Sequence, residues 1–391
     1  MSVLHRFVVL YALMYAAFGV SSPFMPAFFE RRGLTAQQLG ILLGVGTAIR
    51  LVSGPLGGRV ADRTQALRAV LAVCQLLAAA VALGLLSVAG FTLLFVTSLL
   101  HAAALAPTTS LADALALGAA QPCGAHPGFE YGWVRGIGSA VFVIGTLLSG
   151  QIVETWGLGA IIVLQAALLV AAAGAATLVP AYAPTVSITP VRREAAAGVG
   201  ALLGNALFRR VMLISALVLG SHAMHDTFAF IRWSAAGVTP AMASALWSAS
   251  VAAEVVVFFL IGPPLLARLR PARVVALAAV AGVVRWVVMA SSTSIIALAL
   301  VQPLHGLTFA ALHLACMRLI PAIVPHRLAA TAQAMYAFGA GMTTALVTFA
   351  SGWLYATFGA HGFLVMALLC AVVPPLTRPL RGVHSEADRL E

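Results

Sequence analysis

SGQIVETWG, residues 149–157, returns 202 positions later as SGWLYATFG, residues 351–359, with Ser, Gly, Thr and the closing Gly in register. Each copy closes a long apolar stretch. Composition says what such stretches are: 62% of the 391 residues are hydrophobic, 8% are charged and the mean hydropathy is +1.03. Apolar segments of about 20 residues are long enough to cross a bilayer as helices. Twelve are read here, near residues 7–29, 37–60, 67–89, 91–117, 130–153 and 158–180, then near 208–231, 239–265, 272–292, 294–322, 327–354 and 361–377. Each repeat copy ends the fifth span of its own set of six, so the expectation is an all-α membrane protein of two pseudo-symmetric six-helix halves.

The expected division is an N-terminal half over 1–180, a cytoplasmic linker over 181–207 rich in Pro, Gly and Ala, and a C-terminal half over 208–391 with a short cytoplasmic tail. The first span is too long for a secretory signal core and reads as a retained helix.

The net charge of +11 comes from 22 basic residues, all Arg. With a cytoplasmic N-terminus, fifteen of these fall on the cytoplasmic side: Arg6, Arg59, Arg63, Arg68, Arg192, Arg193, Arg209, Arg210, Arg268, Arg270, Arg273, Arg327, Arg378, Arg381 and Arg389. Only Arg31, Arg32 and Arg232 fall opposite. This asymmetry orients a membrane protein and is not a nucleic-acid patch. It places both termini in the cytoplasm, with a bacterial inner membrane expected. Cys74, Cys123, Cys316 and Cys370 show no paired spacing and read as apolar packing residues. The pairs Gly40/Gly44 and Gly132/Gly136 read as helix-packing positions. No phosphate loop or hydrolase constellation is present, so no enzyme and no cofactor are expected.

Charged and imidazole side chains inside the spans are Arg50, His101, Asp113, Arg135, His222, His225, Asp226, Glu254, Arg285, His305, His313 and Arg318. An ionised group at the centre of a membrane helix costs about 2.5 to 3.5 kcal/mol, so such groups face the protein interior, pair, or line a watery path. Arg50, Glu254, Arg285 and His305 lie near the middle of their spans, the last three on consecutive spans. In the structural reading, Glu254 and Arg285 form a direct ion pair that joins two helices. In the functional reading Glu254 takes up and releases a proton, because burial penalises the carboxylate while a nearby cation stabilises it. His222 and Asp226 share a face at i, i+4 spacing, but no second ligand set accompanies them and His225, so they read as a polar patch on the pathway and not a metal site. Asp62 and Arg63 are expected to form a conformational latch with Asp113, whereas Arg59 and Arg68 read as solvated loop residues.

The segment GGRVADR, residues 57–63, after the second span resembles the loop signature of the major facilitator superfamily. FEYGWVRGIGS (129–139) is similar to the fifth helix of lactose permease, and AEVVVFF (253–259), GVVRWVVM (282–289) and QPLHGLTFAALHLACMRLI (302–320) are similar to its eighth, ninth and tenth. PFMPAFF (23–29) and LADALAL (111–117) extend the likeness to the phenylpropionate and proton symporter branch along nearly the whole chain. The resemblance implies substrate binding at Arg135, and substrate binding and proton coupling among Glu254, Arg285 and His305. Two departures stand out: Thr308 occupies a position where the permease has an acid, and Asp226 brings a charge that the branch is not expected to carry.

The expectation is therefore a monomeric symporter powered by the proton gradient that imports a small organic anion, in particular a phenylpropionate-like aromatic carboxylate, by alternating access. Arg135, Arg285, Arg50, Asp226 and the rings of Trp133 and Trp286 would bind substrate. Glu254 would carry the proton, with His305 tuning it. Symport of a sugar or nucleoside, and export by proton antiport, stay open, as do the roles of His222, His225 and His313.

Overall fold

A backbone surrounded by lipid must satisfy its own polar groups, and the helix does so within one segment. The computed structural model describes residues 2–120, 128–180 and 192–383, and among these every element is helical. Cys123, Arg389 and residues 181–191 of the expected linker lie outside the described residues.

Contacts divide the chain into two units, one of Met1–Ser187 with Trp233–Ser248, the other of Ile188–Arg232 with Ala249–Glu391. The first holds α1 (Val3–Ser21), a short α2 (Met25–Arg31), α3 (Ala36–Thr64), α4 (Leu67–Ser87), α5 (Phe91–Ala120), α6 (Tyr131–Trp156) and α7 (Gly159–Leu178). Next come α8 (Arg192–Gly204), α9 (Ala206–Gly220), α10 (Ala223–Ala235) and α11 (Pro240–Val256), the Gly237 turn between the last two counting with the first unit. The second continues with α12 (Gly262–Arg268), α13 (Pro271–Ser291), α14 (Ile295–Val301), α15 (Leu312–Ile323), α16 (Ala329–Phe358), α17 (Phe363–Ala371) and α18 (Val373–Leu376). Among the described residues eleven helical stretches are long and apolar enough to cross a membrane. The last runs 51 residues, His326–Leu376, and breaks at Gly359, whose φ of +53° suits glycine, so twelve crossings result.

In the first unit α1 packs along α6 and α7, α3 along α5, and α4 along α5 and α7. Gly19 and Gly145 make the α1 and α6 contact close: a Cβ on Gly19 would collide with the Phe142 carbonyl oxygen, and one on Gly145 would sit 3.1 Å from that of Ala16. The Thr146 hydroxyl closes the seam by donating to the Gly19 carbonyl at 3.1 Å. Gly132 and Gly136, expected to pack, meet nothing within 4 Å, and the contact falls instead to Gly138, against the Tyr15 ring. In the second unit α9 packs on α16 and α13 on α17 and α15.

Several arginines satisfy the unbonded carbonyls at helix C-termini. Arg6 donates to Leu178, Arg68 to Val179, Arg32 to Leu86 and Val88, and Arg318 to Leu266, at 2.7 to 3.0 Å. Arg68 is thus a clamp on the end of α7 and not the solvated loop residue expected from its neighbours.

Candidate functional site

In the second unit three helix irregularities bring polar groups together. The chain between α9 and α10 turns at Ser221 and His222. α11 ends in a wide π turn over Val257–Ile261, three residues beyond Glu254. After α14, Pro303 lacks the N–H that a continuing helix needs, so the chain tightens over Gln302–Leu304 and then widens over Gly306–Ala311, with His305 at the junction. Gly306 lies against α11: a Cβ there would stand 2.6 Å from the Ala253 carbonyl oxygen. That approach sets His305 beside Glu254.

Arg285 on α13 is 1% exposed, yet no carboxylate among the described residues forms an ion pair with it. Its Nη1 lies 3.0 Å from His305 Nδ1, its Nη2 donates to Gln302 Oε1 at 3.0 Å, and its Nε is buried without a partner. His305 Nε2 in turn lies 3.4 Å from Glu254 Oε2. A guanidinium has only donors, so Nδ1 must accept and the imidazole proton sits on Nε2, facing Glu254. The direct pair of Glu254 with Arg285 does not form; His305 stands between them. A second proton on the imidazole would eject Arg285 from Nδ1, so protonation on the Glu254 side is felt at the guanidinium. Glu254 and His305 remain 25% and 16% exposed, which leaves the acid end of the chain open to proton exchange.

Around this chain, His222 Nε2 lies 2.9 Å from the Thr308 hydroxyl, which donates to the His305 carbonyl. The His222 and His305 rings are 5.0 Å apart. Trp286 is fully buried beneath Arg285, with the guanidinium carbon 4.6 Å from its ring centre, and its indole donates to Ser221 at 2.9 Å. Asp226 is half exposed and pairs with His225 at 3.3 Å. Among the described residues no cluster of three His, Cys, Asp or Glu side chains is arranged to hold a metal ion.

The first unit carries two separate sets. Asp113 Oδ1 accepts from Tyr11 at 2.6 Å and Tyr131 at 2.8 Å and lies 3.8 Å from Arg135 Nη1. Arg135 also donates to the Tyr15 hydroxyl, with its guanidinium 5.1 Å from that ring's centre. Asp113 is therefore engaged with tyrosines and Arg135, while Asp62 and Arg63, expected to latch with it in one conformational state, stand exposed at the end of α3 and form no ion pair with it among the described residues of this structure. Arg50 lines a cavity of about 340 Å³ with Phe18, Leu105, Ala106 and Thr109, and forms no ion pair among the described residues. Trp133 is 68% exposed and joins neither set.

Tyr11, Tyr15, Tyr131 and Gln302 escaped the sequence reading because a single neutral polar side chain in an apolar helix is ordinary. Spacing held a signal: Tyr11 and Tyr15 share one face at i, i+4, and so do Tyr131 and Arg135.

The model of the MFS_1 like family matches residues 4–365. The chain belongs to that family. A probable 3-phenylpropionic acid transporter of Escherichia coli (strain K12) is 32% identical over 375 residues, covering 92% of this chain and 93% of the relative. An uncharacterized transporter of Bacillus subtilis (strain 168), YwbF, is 23% identical over 83% of this chain and 80% of its own. Among solved structures, the nucleoside transporter NupG superposes with a TM-score of 0.85 at 16% identity, covering 98% of this chain and 100% of that one. A D-xylose-proton symporter gives 0.68 at 12%, over 96% of each chain. At these identities the structures establish the major facilitator fold alone. Family and fold together make this MFS_1 like protein a multi-pass membrane transporter of small molecules and not an enzyme.

Proposed function

We propose that this transporter is a proton-coupled symporter that imports a small aromatic carboxylate, of the phenylpropionate kind, by alternating access. The observation that carries the reading is the chain from Arg285 through His305 to Glu254, in which one proton decides whether a buried guanidinium keeps its imidazole partner. Such a chain couples proton occupancy to the bonding between α13 and the Gln302–His305 segment. The E. coli relative's name supports the substrate class.

Of the three candidate cations, Arg285 is committed to Gln302 and His305, and Arg135 to Tyr15 beside Asp113. Arg50 has donors to spare in a cavity whose other walls are largely apolar, a pairing that suits a carboxylate carrying a ring. Arg50→Gln is expected to raise the KM for 3-phenylpropionate about tenfold or more, the worth of a hydrogen bond to a charged group. Arg50→Lys should recover part of the loss, because the charge stays while the planar fork goes. An unchanged KM in Arg50→Gln would move the carboxylate to another cation.

The decisive experiment is uptake of radiolabelled 3-phenylpropionate into proteoliposomes under an imposed pH gradient, with a sugar and a nucleoside as parallel substrates. The free acid of such a carboxylate crosses lipid by itself, so the rate in protein-free vesicles is subtracted. Gradient-driven uptake of the sugar or nucleoside without the acid would replace the substrate class. Uptake of the acid that ignores the gradient would remove proton coupling.

A further inference from the structure

His313 is used by none of the contacts above, yet it is a half-buried titratable group on the helix that carries His305. In an unbroken α-helix, eight residues would rotate His313 well away from His305. The π turn over Gly306–Ala311 takes up about one extra residue, so eight positions act as seven and return His313 to the same face, two turns and roughly 10 Å further along. The opposing helix keeps step. Phe258 lies four residues beyond Glu254, and its ring stands edge-on to His313 with centres 6.0 Å apart. The third wall is Tyr336 on α16, whose ring centre is also 6.0 Å from that of His313. Of the titratable groups on these packed elements, Glu254 lies within electrostatic reach of His313; Tyr336 faces it, and Cys316 follows one turn later on its own helix. Beyond His313, α15 continues to Arg318 and Ile323, the end that the arginine distribution assigns to the cytoplasm.

We propose that His313 is the proton-release relay of this transporter: after substrate leaves, the Glu254 carboxyl gives up its proton through water to the His313 imidazole, which passes it to the cytoplasmic solvent. The carboxyl becomes carboxylate, the imidazole becomes imidazolium, and loss of that proton to water restores both. The relay rests on the proton-coupled reading of Glu254. His305 is unsuited to this step, because its Nδ1 is held by Arg285. Among the described residues no cation hydrogen-bonds or ion-pairs with His313.

The test compares two transport modes of the full-length protein in proteoliposomes, using radiolabelled 3-phenylpropionate. Equilibrium counterflow needs no net proton release and also reports correct folding. Gradient-driven net uptake needs a release in every cycle. His313→Gln and His313→Phe are both expected to keep counterflow and lose net uptake about tenfold or more, within the range a positioned acid–base group supplies. Imidazole added on the release side should restore part of the rate in both. The Phe variant separates relay from packing, since it keeps a ring against Phe258 and Tyr336 but carries no proton. Net uptake at the wild-type rate in either variant overturns the relay. If the loss occurs in Gln but not Phe, the ring acts by packing and the relay is again overturned. Glu254→Gln run alongside tells the two ideas apart: if it retains full net uptake, the coupling reading itself fails and the relay with it.

Discussion

Glu254→Gln is expected to reduce gradient-driven net uptake of 3-phenylpropionate to the protein-free rate, a fall of about a hundredfold or more for loss of an essential proton carrier, while counterflow continues. The amide preserves the size of the side chain and still accepts from His305 Nε2 through its oxygen, so helix packing and the Arg285 to His305 contact have no reason to change. What disappears is the capacity to bind and release a proton. Counterflow only exchanges labelled for unlabelled substrate, and a transporter locked in one protonation state still performs it. Net flux requires the protonation state to alternate. Counting protons with a pH-sensitive dye beside the radiolabel checks the claim directly: the variant should take up no proton per substrate. A wild-type proton-to-substrate ratio in Glu254→Gln would dismiss Glu254 as the carrier.

The second large effect is expected at Gly306. Replacing it by Ala forces a methyl group to within 2.7 Å of the Val257 side chain and 2.6 Å of the Ala253 carbonyl oxygen, and that backbone cannot yield without moving α11. Overpacking of this kind costs about 1 to 3 kcal/mol. The displacement falls between the residue next to Glu254 and the residue next to His305, so it widens the 3.4 Å gap on which the chain depends. Net uptake should fall by about tenfold or more, with a lower melting temperature in detergent. Counterflow identifies the cause. If Gly306 acts by holding His305 against Glu254, Gly306→Ala lowers net uptake and keeps counterflow, as Glu254→Gln does. An equal loss of counterflow would place its role elsewhere.

How much of this was readable beforehand depended on contrast. Charges in apolar spans stand out against their surroundings, and Glu254, Arg285 and His305 were picked out for that reason as groups able to converge. Their connectivity was not readable. A regular helix offers no warning that Gly306–Ala311 widens, and the order of Arg285, His305 and Glu254 depends on that local change of pitch. Faces were equally hard to assign. A membrane helix that is apolar all round has almost no periodic signal, so Trp133 and the pair Gly132/Gly136 gave no sign that they point away from their expected partners. Asp113 illustrates a third obstacle: its charge, taken with those of Asp62 and Arg63, suggests a latch, whereas the hydroxyls of Tyr11 and Tyr131 claim it at 2.6 and 2.8 Å. Neutral donors at close range are invisible to an argument that counts charges.

Arg6 and Arg68 reach the final turn of α7 from separate places, one near the N-terminus and one at the start of α4. During synthesis both guanidiniums emerge more than a hundred residues before the carbonyls of Leu178 and Val179 exist, and α7 is also the helix that packs on both α1 and α4. The earlier helices of this unit must therefore enter the bilayer without their closing piece. A nascent chain arrested before residue 178 would hold two unclaimed cations at the membrane surface, and the arrival of α7 would be the moment when the bundle stops being an open assembly intermediate.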